Sequence, residues 1–391
     1  MPPLFPDEWS WQAMNLVSIG SKGNESPYRQ LVEHYGSPLL VLDCDVLRQR
    51  FRKLKKALPN VDLYYAIKSL PEPAVLVTLL QEGSGFDVAT TGELGLMRSV
   101  GARPEATIHT HPIKRDQDIR DALDFGCNTF VIDNIDELLK FTTYRERAEL
   151  LLRVSFRGKD AAVDLSRKFG CGRQDVPAML EEAAKLGIRI KGLSFHVGSQ
   201  SMTSAAHVDA IRACRPFFTP GRTVGAEHLH ILDIGGGMPV DYTQHGLDLN
   251  EFCKPINAAL AEYPERVRII AEPGRVLSAP IMKSVSTVMG RALRGGLWWY
   301  YLDDGVYGAY SGQIFDHAEY PITVFSDAVE THPSVLAGPT CDSIDVITEL
   351  AMLPAMNIGD IVVGEQMGAY TMATACEFNS IPKPRLVVIN R

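Results

Sequence analysis

From Leu63 to Ala271, short apolar, β-branched runs alternate with longer amphipathic stretches, and this rhythm leaves few folds open. The runs are Leu63–Ile67, Gly85–Val88, Thr107–Thr110, Thr129–Ile132, Leu150–Val154, Ile190–Phe195, Leu229–Ile234 and Arg268–Ala271. Helical patterns such as Pro73–Gln81, Thr91–Val100, Asp116–Phe125, Ile135–Tyr144, Val176–Leu186 and Leu249–Tyr263 separate most of them. Eight strands alternating with helices argue for an α/β fold of the (β/α)8 TIM-type barrel class rather than an open sheet. Such a barrel takes about 250 residues, so a chain of 391 residues has room for a second domain.

The flanks have a different texture. Ahead of the barrel, the amphipathic run Tyr28–Tyr35 is stopped by Gly36, and a short apolar strand (Pro38–Leu42) leads into the basic helix Val46–Ala57. After Glu272-Pro273-Gly274-Arg275 the runs Ile281–Met289, Leu297–Leu302, Ile322–Val324, Ile361–Val363 and Leu386–Ile389 have few long helical patterns between them. They predict an all-β domain. The expected division is a barrel over 38–276 and a β-domain over 277–391, joined by the N-terminal segment 1–37.

Composition narrows the function classes. Hydrophobic residues make up 46% and charged residues 22%, an ordinary soluble balance, and the net charge of −8 disfavours a nucleic-acid surface. No apolar run approaches the ~20 residues that cross a bilayer, and no basic segment followed by an apolar core opens the chain. The seven cysteines are scattered and never form a CxxC pair, which predicts reduced thiols in a cytoplasmic protein, with neither disulfide frame nor metal site. The expected partner is a small molecule, not nucleic acid or membrane.

In a barrel, chemistry gathers at the C-terminal ends of the strands. Those ends read Lys68, Asp87, His109 with His111, Asp133, Arg153, His196, Gly235-Gly236-Gly237, and Glu272 with Arg275. Any one of these is ordinarily a satisfied loop or core residue; a polar or glycine feature at every end is not ordinary. Lys68 leaves an apolar strand. A snorkelling lysine is its bland explanation, and a neutral amine for covalent chemistry its functional one. Gly235-Gly236-Gly237 allows backbone N–H groups close to a phosphate, and Gly274-Arg275 adds a bidentate cation one strand on. The loops after strands seven and eight are the usual phosphate site of this fold.

These segments carry a resemblance. Tyr65-Ala66-Ile67-Lys68, Gly85-Phe86-Asp87-Val88-Ala89, Phe195-His196-Val197-Gly198-Ser199, Asp233-Ile234-Gly235-Gly236-Gly237 and Glu272-Pro273-Gly274-Arg275 resemble the fold type III, alanine-racemase-like, pyridoxal 5′-phosphate (PLP) decarboxylases. That group acts on ornithine, lysine, arginine or diaminopimelate. The likeness continues through Asp303-Asp304-Gly305-Val306-Tyr307-Gly308, Phe315-Asp316-His317, Gly338-Pro339-Thr340-Cys341-Asp342 and Met367-Gly368-Ala369-Tyr370. It implies PLP as cofactor, held on Lys68 as a Schiff base, with Glu272 at the pyridine nitrogen and His196 on the ring face. Phosphate contacts would come from Ser199, Gly235, Gly236, Gly237, Gly274, Arg275 and Tyr370, and Asp87 and Arg153 would form a polar pair near the cofactor. Cys341 would return a proton to the substrate. With Asp342 it would reach into a second subunit of a homodimer whose active sites are shared, Lys168 and Asp345 pairing between subunits. The implied catalytic set is thus Lys68, Cys341, His196 and Glu272.

The resemblance is nearest to ornithine decarboxylase. Asp316 matches the acid that holds the distal amine, and Tyr307 and Asp342 complete the implied substrate contacts. Gln200 after Ser199 is more typical of diaminopimelate enzymes, and Asp303 stands where eukaryotic ornithine enzymes have asparagine. The expected reaction is L-ornithine to putrescine, in polyamine biosynthesis. The alternative is decarboxylation of lysine, arginine, diaminopimelate or a modified or carrier-bound amino acid. A different class, a non-catalytic homologue acting by binding, is opposed by the intact Lys68, Glu272, Arg275 and Cys341.

Overall fold

The computed structural model describes residues 16–156, 161–163, 167–219, 221, 224–242 and 246–391. The Pro-rich start of the expected N-terminal joining segment, residues 1–15, lies outside them. The chain divides into two compact units: 45–240 with 247–277, and the chain up to Cys44 with 241–246 and 278–391.

The first unit is a closed barrel of eight parallel strands. They are β1 (Val61–Ala66), β2 (Gly85–Val88), β3 (Thr107–His109), β4 (Thr129–Ile132), β5 (Glu149–Val154), β6 (Ile190–Phe195), β7 (Ile231–Asp233) and β8 (Arg268–Ala271). Each pairs with its neighbour in sequence, and β8 returns to β1 through Ile269↔Val61 and Ala271↔Leu63. Tyr64, Ile108, Val131, Leu151, Ile231 and Ile270 form one buried cluster drawn from six of the strands. At about 1.5–3 kcal/mol for each large side chain taken from water, such clusters outweigh any local preference and hold the strand ends in place. Helix starts follow ordinary capping chemistry: the Thr90 side chain accepts from Glu93 N, and Asn134 from Glu137 N. A small antiparallel pair, Ala161–Val163 with Ser199–Ser201, is added beyond the barrel strands.

The second unit is a nine-stranded sheet. Its centre is the long strand Met282–Arg294, which pairs with Leu39–Asp43, Ile361–Gly364 and Leu297–Leu302. The strand Leu39–Asp43 therefore belongs to this unit, not to the barrel whose expected boundary was residue 38. Its residues Leu39 and Val41 pack with Val285, Phe325, Ile361, Val363 and Val387, and the helix Ser26–Tyr35 lays Tyr28, Leu31, Val32 and Tyr35 on that cluster. Two further strands, His332–Ala337 and Val346–Leu353, pair with one another. The sequence rhythm hides both. Pro333 interrupts the first, and the second is Val-Ile-Thr-Glu-Leu-Ala-Met-Leu, half of it good helix formers that strand pairing overrides. Among the described residues no helix is long and apolar enough to cross a membrane.

Candidate functional site

The C-terminal end of the barrel gathers most of the residues singled out above. Lys68 lies in a short 3-10 turn (Ile67–Ser69) just past β1. Its Nζ lies 2.6 Å from Asp87 Oδ2 at the end of β2. The lysine side chain is 41% exposed while that of Asp87 is wholly buried. Burial therefore does not distinguish Lys68 itself. The buried partner does, because a desolvated carboxylate requires a cation and hydrogen bonds. Thr110, one residue beyond β3, donates to the other oxygen, Asp87 Oδ1.

Across the barrel mouth, Arg153, His196, Glu272 and Thr110 line one small, open recess. The Arg153 guanidinium sits 5.3 Å from the centre of the Phe169 ring. Burial pulls its pKa down, with Glu272 the largest opposing influence. Burial also holds the His196 imidazole well below its ordinary range, with Arg153 and Lys68 adding to the effect. The ring is therefore neutral. Its Nδ1 accepts from Gly198 N at 3.0 Å, which leaves the proton on Nε2. Glu272 is pushed the other way, well above the usual carboxylate range, by burial first and then by Asp233 and Asp87. Asp233, which ends β7, rises to about 6, mainly through burial. Asp233 had drawn no role from the sequence, although an acid between an apolar strand and three glycines was the available signal.

The glycine turn is forced by space as well as by conformation. Gly235 and Gly237 have φ of +64° and +94°. A Cβ on Gly236 would stand 2.7 Å from Glu272 O, and one on Gly237 would stand 2.3 Å from Gly198 O. Nearby, Arg275 Nη2 donates to Ser199 Oγ at 3.3 Å. The next residue, Gln200, bonds both polar groups of the Val240 backbone, at 2.9 and 2.7 Å. Among the described residues the N–H groups of Gly236 and Gly237 have no protein acceptor. Gly274 is packed against Ser69, where a Cβ would meet that side chain at 3.1 Å. The arrangement offers an anion two backbone donors, a hydroxyl and a guanidinium.

Tyr307, Asp316, Cys341, Asp342 and Tyr370 lie in the sheet unit. Tyr307 donates its hydroxyl to Asp342 Oδ2 and stacks on Phe378 with ring centres 4.5 Å apart. The hydrogen bond to Asp342 pushes the tyrosine up to about 12 and draws the Asp342 carboxyl down. Cys341 is exposed, its backbone N–H donating to Asn379 Oδ1 at 2.9 Å. Asp316 ends the short helix Gly312–Asp316, and Tyr370 adopts a positive φ of 56°. Asp345 is buried and takes the amides of Val306 and Thr340, each at 2.9 Å, whereas Lys168, in the barrel unit, lies 5.0 Å from the centre of the Phe169 ring.

Comparison with known proteins points the same way. The model of the pyridoxal-dependent decarboxylase family, pyridoxal binding domain, matches residues 44–279. The chain is 34% identical to the lysine/ornithine decarboxylase of Selenomonas ruminantium over 91% of this chain and 90% of that one. It is 37% identical to the ornithine decarboxylase of Schizosaccharomyces pombe over 88% of this chain and 81% of that one. Among solved structures, the lysine/ornithine decarboxylase of Vibrio vulnificus complexed with cadaverine superposes with a TM-score of 0.89 at 51% identity, covering 95% of this chain and 100% of that one. The same enzyme complexed with putrescine gives 0.88, also at 51% identity, with 95% and 99% covered.

Proposed function

The chain belongs to the pyridoxal-dependent decarboxylase family, and on that premise we propose that it removes the α-carboxylate of L-ornithine to give CO2 and putrescine. Its cofactor is pyridoxal 5′-phosphate. The barrel mouth suits that group on its own chemistry. Gly236 and Gly237 offer unclaimed amides, Ser199 a hydroxyl and Arg275 a guanidinium for the phosphate. When bound, the cofactor supplies an aldehyde that takes up an amine and a ring that accepts the electron pair left by departing CO2.

The chain's own residues would divide the remaining work. Lys68 would be the amine that holds the cofactor covalently, and Asp87 would keep that amine at the mouth through the 2.6 Å contact. Glu272, whose carboxyl favours its protonated form, keeps a proton at the ring nitrogen. His196, neutral, would offer its ring to the cofactor's face without adding charge. Cys341 would return a proton to the α-carbon from its thiol. Asp316, Asp342 and Tyr307, the last two hydrogen-bonded to each other, are the groups proposed to receive the distal ammonium. We assign Cys341 and Asp342 to a second copy of the chain, so that a homodimer completes each site. A cytoplasmic setting accords with seven cysteines that are all free thiols.

The observation that carries the reading is the gathering of Lys68, Asp87, His196, Glu272 and the glycine–arginine cradle at one end of the barrel. The extensive likeness to ornithine enzymes favours the substrate. A second reading, with lysine as an alternative substrate, is favoured by the Vibrio vulnificus neighbour solved with both diamines. The test is CO2 release from ornithine, lysine, arginine, diaminopimelate and glutamate with added PLP. The expected result is the highest kcat/KM on ornithine. A lysine preference would establish the second reading, and no turnover of any diamino acid would sink both.

A further inference from the structure

The three carbonyls of the Gly235–Gly237 turn are each taken by a different element. Gly235 O accepts from Glu272 N at 2.8 Å, and Gly237 O from Ser201 N at 3.0 Å. Gly236 O lies 3.0 Å from Nε2 of His207, the only side chain of the three. His207 belongs to the helix Ala205–Cys214 and is completely buried. Phe252 meets its ring edge-on at 6.0 Å. Its Nδ1 is buried with no partner among the described residues, as the neutral Nε2–H tautomer allows and a charged ring would not.

The carbonyl of Gly236 and the N–H of Gly237 share one planar, trans peptide, so they point in opposite directions. Whatever grips the carbonyl therefore aims the amide. We propose that His207 is a positioning residue for the anion cradle: by donating to Gly236 O from beneath, it turns the Gly237 N–H outward, toward the cofactor phosphate. This rests on reading the turn as the phosphate site. A side chain without a donor at 207 would leave the peptide free to rotate and would make Gly236 O a buried, unsatisfied acceptor.

The probes are PLP and pyridoxal, which share the aldehyde and ring but differ in the phosphate. Covalent capture of each by Lys68 is followed by its visible absorbance, in the parent protein and in variants. His207→Phe is expected to raise the apparent Kd for PLP about tenfold, equivalent to about 1.4 kcal/mol, while leaving pyridoxal within about twofold. His207→Gln, which retains an N–H donor, is expected to recover most of the PLP affinity. Should the phenylalanine variant fail to fold, His207→Met is the donor-free replacement read by the same comparison. Equal weakening of PLP and pyridoxal would reduce His207 to a general packing role, and unchanged PLP affinity would overturn the proposal outright. If the parent protein shows no preference for PLP over pyridoxal, the cradle reading itself fails, an outcome distinct from either of those.

Discussion

His109 allows a prediction whose size follows from its surroundings. It ends β3, is completely buried, and neither ring nitrogen has a hydrogen-bond partner among the described residues. Burial, with Lys114 next in importance, lowers its pKa from 6.5 to about 4. The unfolded chain therefore binds a proton between about pH 6.5 and 4 that the folded chain refuses. The stability this neutral imidazole confers is full above pH 6.5 and is lost as pH falls toward 4. At about 1.36 kcal/mol per pH unit, the whole window is worth about 3 kcal/mol, and pH 5.0 already forfeits about 2 kcal/mol. His109→Leu removes the titration and also two unsatisfied buried nitrogens, each a liability in an apolar site. Urea unfolding of both proteins with saturating PLP, followed by tryptophan fluorescence at pH 7.5 and 5.0, reads the difference. The variant is expected to be at least as stable at pH 7.5, and its advantage to widen by about 2 kcal/mol at pH 5.0. A gap that stays constant to within about 0.5 kcal/mol would refute the assignment, because other groups titrate alike in both proteins.

Thr110→Val removes the hydroxyl donor to the buried Asp87 carboxylate, and should cost about 1.5–3 kcal/mol in urea unfolding, the range for a hydrogen bond to a charged group; Thr110→Ser should restore most of it. Asp304 is buried and pushed up to about 7, chiefly by burial, while its Oδ1 accepts from Gly305 and Ala309 at 2.9 and 3.0 Å. Its folded pKa lies above the unfolded value of 3.8, so the stability it confers is present at acid pH and lost as pH rises toward 7. Asp304→Asn keeps the acceptor without the charge, and its stability relative to the parent should improve by about 2–3 kcal/mol between pH 5 and 8. Cys341→Ala should retain the absorbance of bound cofactor and lose clean amine formation; unchanged amine yield would remove that thiol from the mechanism.

Much of the site was legible along the chain because barrel topology converts sequence order into spatial order. Once eight strands are counted, each strand end is known to face the same way, so Lys68, Asp87, Arg153, His196, the glycines and Glu272 could be placed together. What the pattern could not give was partnership. Lys68 is half-exposed and the buried group is Asp87, a pairing between successive strand ends. Thr110 and Asp233 looked like ordinary strand termini, and nothing in the sequence around His207 hints that its ring reaches a carbonyl 29 residues away. The strand Leu39–Asp43 looked like a lead-in to the barrel for the same reason. Four apolar residues can pair with any sheet, and only the long-range register with Met282–Val285 decides which.

The sequence by itself therefore determined the barrel, the family and the cast of chemical groups, since periodicity, glycine conformation and strand-end position are local properties. The tertiary structure decided which groups are charged, which are neutral and which hold others in place. Protonation depends on burial and on neighbours distant in sequence. The same histidine is an ordinary base in water and a fixed, uncharged donor when, as at position 207, the fold closes over it.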